Sequence, residues 1–145
     1  MNRHTTATFI GHSDCFGLDE ERVRTEIIRL INGGITDFVN GYMGGFDKLC
    51  ARLVYELKIV YPHIHNYAVI PYLTHKIDRS EYFDEIIYPD GFEKYHFKAA
   101  IPKRNKYLVE NSGTAVCYVT HSWGGAAKTL EMAYKSGVRV INLGE

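Results

Sequence analysis

The chain has 145 residues, enough for one domain with a real core, and its 17 basic and 17 acidic residues cancel to a formal net charge of zero. That balance makes no electrostatic case for nucleic acid or an anionic membrane surface, and no apolar run is long enough to cross a bilayer. The three cysteines are odd in number, and Cys50 and Cys117 sit inside apolar patterns. They speak against a disulfide framework and for a reducing, cytoplasmic setting. The first residues, Met1 to Thr6, carry no signal-peptide core, and no repeat or linker divides the chain, so residues 1–145 are expected to form a single domain.

Thr6 to Ile10 reads as a first short strand, ending at Gly11-His12-Ser13. Asp19 is an N-cap candidate, with Glu20 and Glu21 in the first turn of a helix that buries Val23, Ile27, Leu30 and Ile31 until Gly33-Gly34 stops it. Ile35 to Val39 is a second strand, followed by a loop that ends in Gly44-Gly45. Phe46, Leu49, Cys50, Leu53, Val54, Leu57 and Val60 then form one helical stripe, ended by Pro62. Tyr67 to Leu73 reads as a third strand. The stretch from Thr74 to Ala100 is irregular and aromatic, fitting short helices and a loop over a ligand site.

Pro102 is placed as the first residue of the next helix, which runs to about Asn111. The apolar run Ala115 to Val119 is a buried parallel strand, the pair Gly124-Gly125 a turn, and Leu130, Ala133 and Tyr134 the stripe of a helix capped by Gly137. Val138 to Leu143 completes the set. Strands alternating with helices predict a Rossmann-like α/β/α sandwich on a mainly parallel, five-stranded sheet. Ligands of such sheets sit beyond the carboxyl ends of the strands, where Gly11, Gly41, Gly44-Gly45 and Gly124-Gly125 all fall.

Several motifs are excluded. A P-loop requires glycines where this chain has Ser122 and Ala127, and no G-x-G-x-x-G is present. Thr120 breaks a nucleophile elbow around Ser122, which reads better as a turn or cap residue. His63 and His65 lack partners at metal-ligand spacing, so no metal and no cofactor are expected. His12 and His121 fall at the ligand edge, either as loop residues or as catalytic ones. Asp47 fits a first-turn helix carboxylate or an acceptor for a ligand hydroxyl.

Phe9-Ile10-Gly11-His12, Gly44-Gly45-Phe46-Asp47, Arg104-Asn105 and Gly124-Gly125 occur in an order that resembles the SLOG superfamily. This is the Rossmann-like group that includes the YpsA-type proteins, DprA and the LOG phosphoribohydrolases, and its small stand-alone YpsA-like members look most similar. The resemblance implies a pocket for a nucleotide or nucleotide-derived ligand. In it Gly11, His12, Gly44 and Gly45 would form one wall, Asp47 would take a sugar hydroxyl, and Arg104 with Asn105 would meet phosphate. Ser122, Gly124, Gly125, Lys128 and Thr129 would hold phosphate at the turn and helix start. A LOG-like hydrolase would use Arg104 and Glu131 as catalytic residues. Ala127 and Lys128 depart from the LOG loop and shift the expectation from hydrolysis to binding. The resemblance further implies a sensor or sequestering protein of the kind found in bacterial and phage conflict. Its expected partners are a small nucleotide-derived molecule and further copies of itself as a homodimer or larger homo-oligomer, without membrane or nucleic acid. An N-glycosidase and an oligomeric interaction protein with a vestigial pocket are the alternatives.

Overall fold

Six parallel strands form one sheet in the order β4-β3-β2-β1-β5-β6 in a computed structural model that describes all 145 residues. The strands are β1 (Thr6–Gly11), β2 (Asp37–Asn40), β3 (His65–Val69), β4 (Glu85–Ile87), β5 (Thr114–Tyr118) and β6 (Arg139–Asn142). The helices are α1 (Glu20–Asn32), α2 (Gly45–Leu57), α3 (Phe97–Glu110) and α4 (Gly125–Lys135). β1 is central, flanked by β2 and β5, and its residues Thr6 to Ile10 are all buried.

Alternation along the strands divides the core. Phe9 and Val116 face the α1–α2 layer, where they pack with Val23, Ile27, Phe46 and Leu53. Ile10, Ala115 and Cys117 face the opposite layer, with Val109 of α3 and Ala133 of α4. This is the period-two logic of a strand buried on both faces. Asp19 caps α1 as its sequence suggests, accepting the Glu21 N–H at 3.0 Å.

The sheet has one strand more than expected. Glu85-Ile86-Ile87 lies in the stretch read as irregular and pairs in parallel with Tyr67-Ala68-Val69. Three residues at an edge are too short to leave a periodic signal. The third strand starts earlier and stops earlier than its apolar run suggests, at Val69, and Pro71 follows just beyond. α2 ends at Leu57, so Val60 leaves the stripe and is exposed. Tyr134 is also exposed rather than part of the α4 stripe.

Pro102 does not open its helix. α3 begins at Phe97, capped by His96, and Pro102 sits inside it on the solvent side. There it removes the hydrogen bond that its position would give to the Lys98 carbonyl. The helix persists because Ala100, Arg104, Leu108 and Val109 of its other face are buried.

Candidate functional site

The chain leaves β1 towards β2 on one side and returns after β4 to place β5 on the other. The carboxyl ends of β1 and β5 therefore border the switch in strand order, where loops diverge and leave a cleft. The cleft, about 160 Å³, is lined by Gly11, Gly44, Asp47, Arg104, Asn105, Gly125 and Thr129 of the residues singled out from sequence. Phe9, Ile10 and Leu108 form its apolar floor, and Ser13, Met43, Ile101 and Ala126, which none of the sequence motifs assigned to the site, complete it. A second, wider groove shares Gly11, Ser13, Gly125 and Ala126 with the first and adds His12, Gly124, His121, Trp123 and Phe16.

Arg104 is buried, only 2% exposed, and so is not the surface helix residue that its polarity suggests. Its Nη1 donates to the carbonyls of Gly41 at 2.9 Å and Val69 at 3.0 Å, at the ends of β2 and β3. Nε donates to Asn105 Oδ1 at 2.9 Å. Nη2 has only the Met43 sulfur at 3.5 Å, a weak acceptor. Nη2 is thus the edge of the guanidinium with donor capacity to spare, and a two-pronged grip on phosphate is not available. Burial lowers the Arg104 pKa, and Asp47 opposes that shift.

Asp47 occupies the first turn of α2 and accepts the Met43 N–H at 3.2 Å, which holds the loop after β2 against the helix. Desolvation pushes its pKa up to about 6, against the Arg104 charge and the N–H groups of Met43 and Gly44. No ion pair forms between the two. The Asp47 carboxyl thus faces the cleft beside a buried cation without contacting it.

The two glycine walls differ. A Cβ on Gly11 would lie 2.2 Å from the Phe46 ring, and one on Gly45 would lie 2.3 Å from the Ser13 carbonyl. Gly44 likewise has Ser13 within 2.8 Å. The N–H groups of Gly45 and Phe46 already donate to the carbonyls of Ser13 and His12. These glycines allow the loop after β1 to seat on α2, and that helix start is occupied by protein. Gly45 sits behind Ser13 and does not line the cleft.

Gly124 and Gly125 are the open wall. Gly124 has φ +93°, a conformation L side chains rarely adopt, and nothing lies within 4 Å of a Cβ at either position. α4 has no side-chain cap, and Gly125 and Ala126 of its first turn line the cleft. The orphan donors and positive dipole end of that turn suit an anion. The Thr129 hydroxyl donates to the Gly125 carbonyl at 2.9 Å, which steadies this turn.

Three residues singled out from sequence stand elsewhere. Ser122, Lys128 and Glu131 are exposed and line neither cavity, and Glu131 pairs with Lys135 at 3.0 Å. The stretch 74–100 does not cover the cleft either. It supports the loop after β2 from outside, with the Tyr42 hydroxyl donating to Asp78 at 2.6 Å and His75 Nε2 3.1 Å from the Tyr42 carbonyl. Tyr42 is held there at φ 49°, a left-handed conformation uncommon outside glycine.

Neither a family model nor a curated protein sequence matches the chain. Solved structures do. DNA processing protein A (DprA) from Streptococcus pneumoniae superposes with a TM-score of 0.69 at 17% identity, covering 96% of this chain and 50% of that one. The fold is the DprA fold. DprA from Helicobacter pylori agrees, with a TM-score of 0.68 at 14% identity, covering 97% of this chain and 65% of its own. The chain therefore spans between half and two thirds of the DprA chains it resembles, and the SLOG resemblance implied this architecture. The Helicobacter pylori structure concerns a single-stranded DNA binding mode, which corrects the expectation that nucleic acid is not a partner. A net charge of zero does not exclude positive charge gathered in one cleft. No helix is long and apolar enough to cross a membrane.

Proposed function

We propose that this protein binds a nucleotide or nucleotide-derived ligand at the carboxyl edge of its sheet, as a sensor or sequestering protein. The observation that carries this reading is one cleft faced by the uncapped α4 N-terminus, the spare Nη2 donor of Arg104 and the Asp47 carboxyl. The first two suit phosphate and the third suits a sugar hydroxyl. The single-stranded DNA bound by a fold neighbour brings a strand end within the same chemistry. The LOG-like hydrolase reading would use Glu131, which is turned to solvent beside Lys135. Binding without turnover is therefore the proposed activity. We also propose a homo-oligomer, and light scattering giving only a 16.6 kDa species would refute that part.

Calorimetry and thermal shift with nucleoside mono- and diphosphates, NAD, ADP-ribose and short single-stranded oligonucleotides test the reading. At least one is expected to raise the melting temperature by mass action on the native state. A flat response to all of them would remove the proposal, and release of free base on chromatography would replace binding by hydrolysis. Arg104→Ala is a poor probe, because it orphans two buried carbonyls and a fall in stability would mask any loss of ligand.

A further inference from the structure

Beyond the cleft, across the Gly11–Gly125 wall, three rings stand in one stack. His12 and His121 lie 3.9 Å apart between centroids at 12°, and His121 and Trp123 lie 3.8 Å apart at 18°. His12 is fixed from behind. Its Nε2 accepts the Thr120 N–H at 2.9 Å, its backbone N–H donates to the Tyr118 carbonyl, and its ring meets the edge of Tyr118. Burial, and then the neighbouring His121, lower its pKa, so it presents a neutral aromatic face.

The other end of the stack is unusual. Trp123 is 68% exposed and Phe16, on the same groove, is 94% exposed. Rings left this open contribute little to the core and offer free faces on which a planar group can stack. The middle ring is the informative one. His121 is a small nitrogen heterocycle held flat between two aromatic faces, and its Nδ1 is buried without a hydrogen-bond partner. It therefore fills a slot of the width and polarity that suit a nucleobase, while gaining little for itself.

We propose that the gap between His12 and Trp123 is a nucleobase seat, closed in the free protein by His121, which turns out when a base enters. The inference rests on the nucleotide reading of the adjoining cleft and adds a substrate class to it. The inner cleft, about 160 Å³, falls short of the usual size for a small-molecule site of roughly 300 Å³ or more. A ligand with sugar and phosphate in that cleft must extend outwards, and the extension meets this stack. The base then lies outside and the anionic part inside. A base on a strand and a base on a free nucleotide present the same face to the seat.

Trp123 is the only tryptophan, so its fluorescence reports on the seat directly. The full chain is titrated with the four common nucleoside 5′-monophosphates, with hexadeoxyadenylate and with base-free ribose 5-phosphate, by fluorescence and calorimetry. Base-bearing ligands should quench Trp123 and ribose 5-phosphate should not. Trp123→Leu should weaken the base-bearing ligands about tenfold or more, as loss of a stacked base does, and leave ribose 5-phosphate and the melting temperature unchanged. His121→Ala, which empties the seat, should hold or raise the affinity for base. Nucleotide binding without quenching, and with equal affinity in Trp123→Leu, overturns the seat and leaves the cleft reading standing. No binding of any of these ligands by either readout overturns the seat, and the cleft reading then stands or falls with the wider set of diphosphates, NAD and ADP-ribose. Preference for the hexamer over the monophosphates, with quenching, supports the seat and assigns the source of the base to a strand.

Discussion

Replacing Gly125 by alanine separates what the protein needs to fold from what it needs to bind. No atom lies within 4 Å of a Cβ placed there, and its φ is not positive, so the fold has no objection to a methyl group. Gly125 is the first residue of α4, where alanine is the better helix former by about 0.5–1 kcal/mol. For a chain of this size that is a rise of about 1–4 °C in melting temperature. A helical Cβ tilts towards the N-terminus, which here means towards the cleft. A methyl group takes about the volume of a water, roughly 30 Å³, and the cleft holds about 160 Å³. It also stands in front of the N–H groups offered to the anion. Overpacking of this kind costs about 1–3 kcal/mol, so affinity should fall about five- to 150-fold. Calorimetry on the ligand that stabilises the wild type, with melting of both proteins, reads the two effects separately. Wild-type affinity in a folded Gly125→Ala protein would refute the approach of ligand to α4. A protein that unfolds would refute the openness of the wall.

Gly11→Ala should behave in the opposite way, losing stability by 2 kcal/mol or more by rough estimate, because its Cβ meets Phe46 at 2.2 Å; urea melts check this. Asp47 has a pKa raised from 3.8 to about 6, so between those values the native state holds more proton than the unfolded chain. Stability therefore falls as pH rises through that window, by about 3 kcal/mol in full, and denaturant melts from pH 4 to pH 7 should show Asp47→Asn losing this decline. Pro102→Ala restores a donor inside α3 on an exposed face and should stabilise the protein by about 1–2 kcal/mol, read from the shift in urea midpoint.

The layers were legible in the sequence because periodicity reports burial. The stripe of Phe46, Cys50, Leu53, Val54 and Leu57 and the run Ala115 to Cys117 mark surfaces that must be covered. β4 was not legible, since Glu85-Ile86-Ile87 is held by pairing with β3 rather than by its own pattern. Pro102 misled because its helix-starting preference is local, whereas the four buried residues of α3 act on the whole helix. The glycines do gather at the carboxyl edge of the sheet, but their reasons were not legible. A sequence cannot distinguish a glycine that admits a ligand from one that admits a phenylalanine ring. Nor does it show that Arg104 spends Nη1 on two carbonyls, because those partners lie 63 and 35 residues away.

The placement of charge explains why a chain with zero net charge is suited to an anionic ligand. Three of its eight arginines are used on carboxylates, Arg24 and Arg52 with Glu20 and Glu56, and Arg29 with Glu26. Arg104 alone is sunk behind the sheet edge, and the nearest carboxyl, Asp47, is held towards its neutral form by burial. Asp47, with a pKa of about 6, is still mostly ionised at pH 7, so the positive potential of the cleft rests on the buried guanidinium and the α4 dipole. An arriving phosphate would raise the Asp47 pKa further, since a second negative charge penalises the carboxylate. Binding of an anion should therefore take up a proton near pH 6 to 7. Calorimetry of the stabilising ligand in two buffers of different ionisation enthalpy would read that proton directly. Asp47→Asn should abolish the uptake. Buffer-independent heats in the wild type would place the anion away from Asp47.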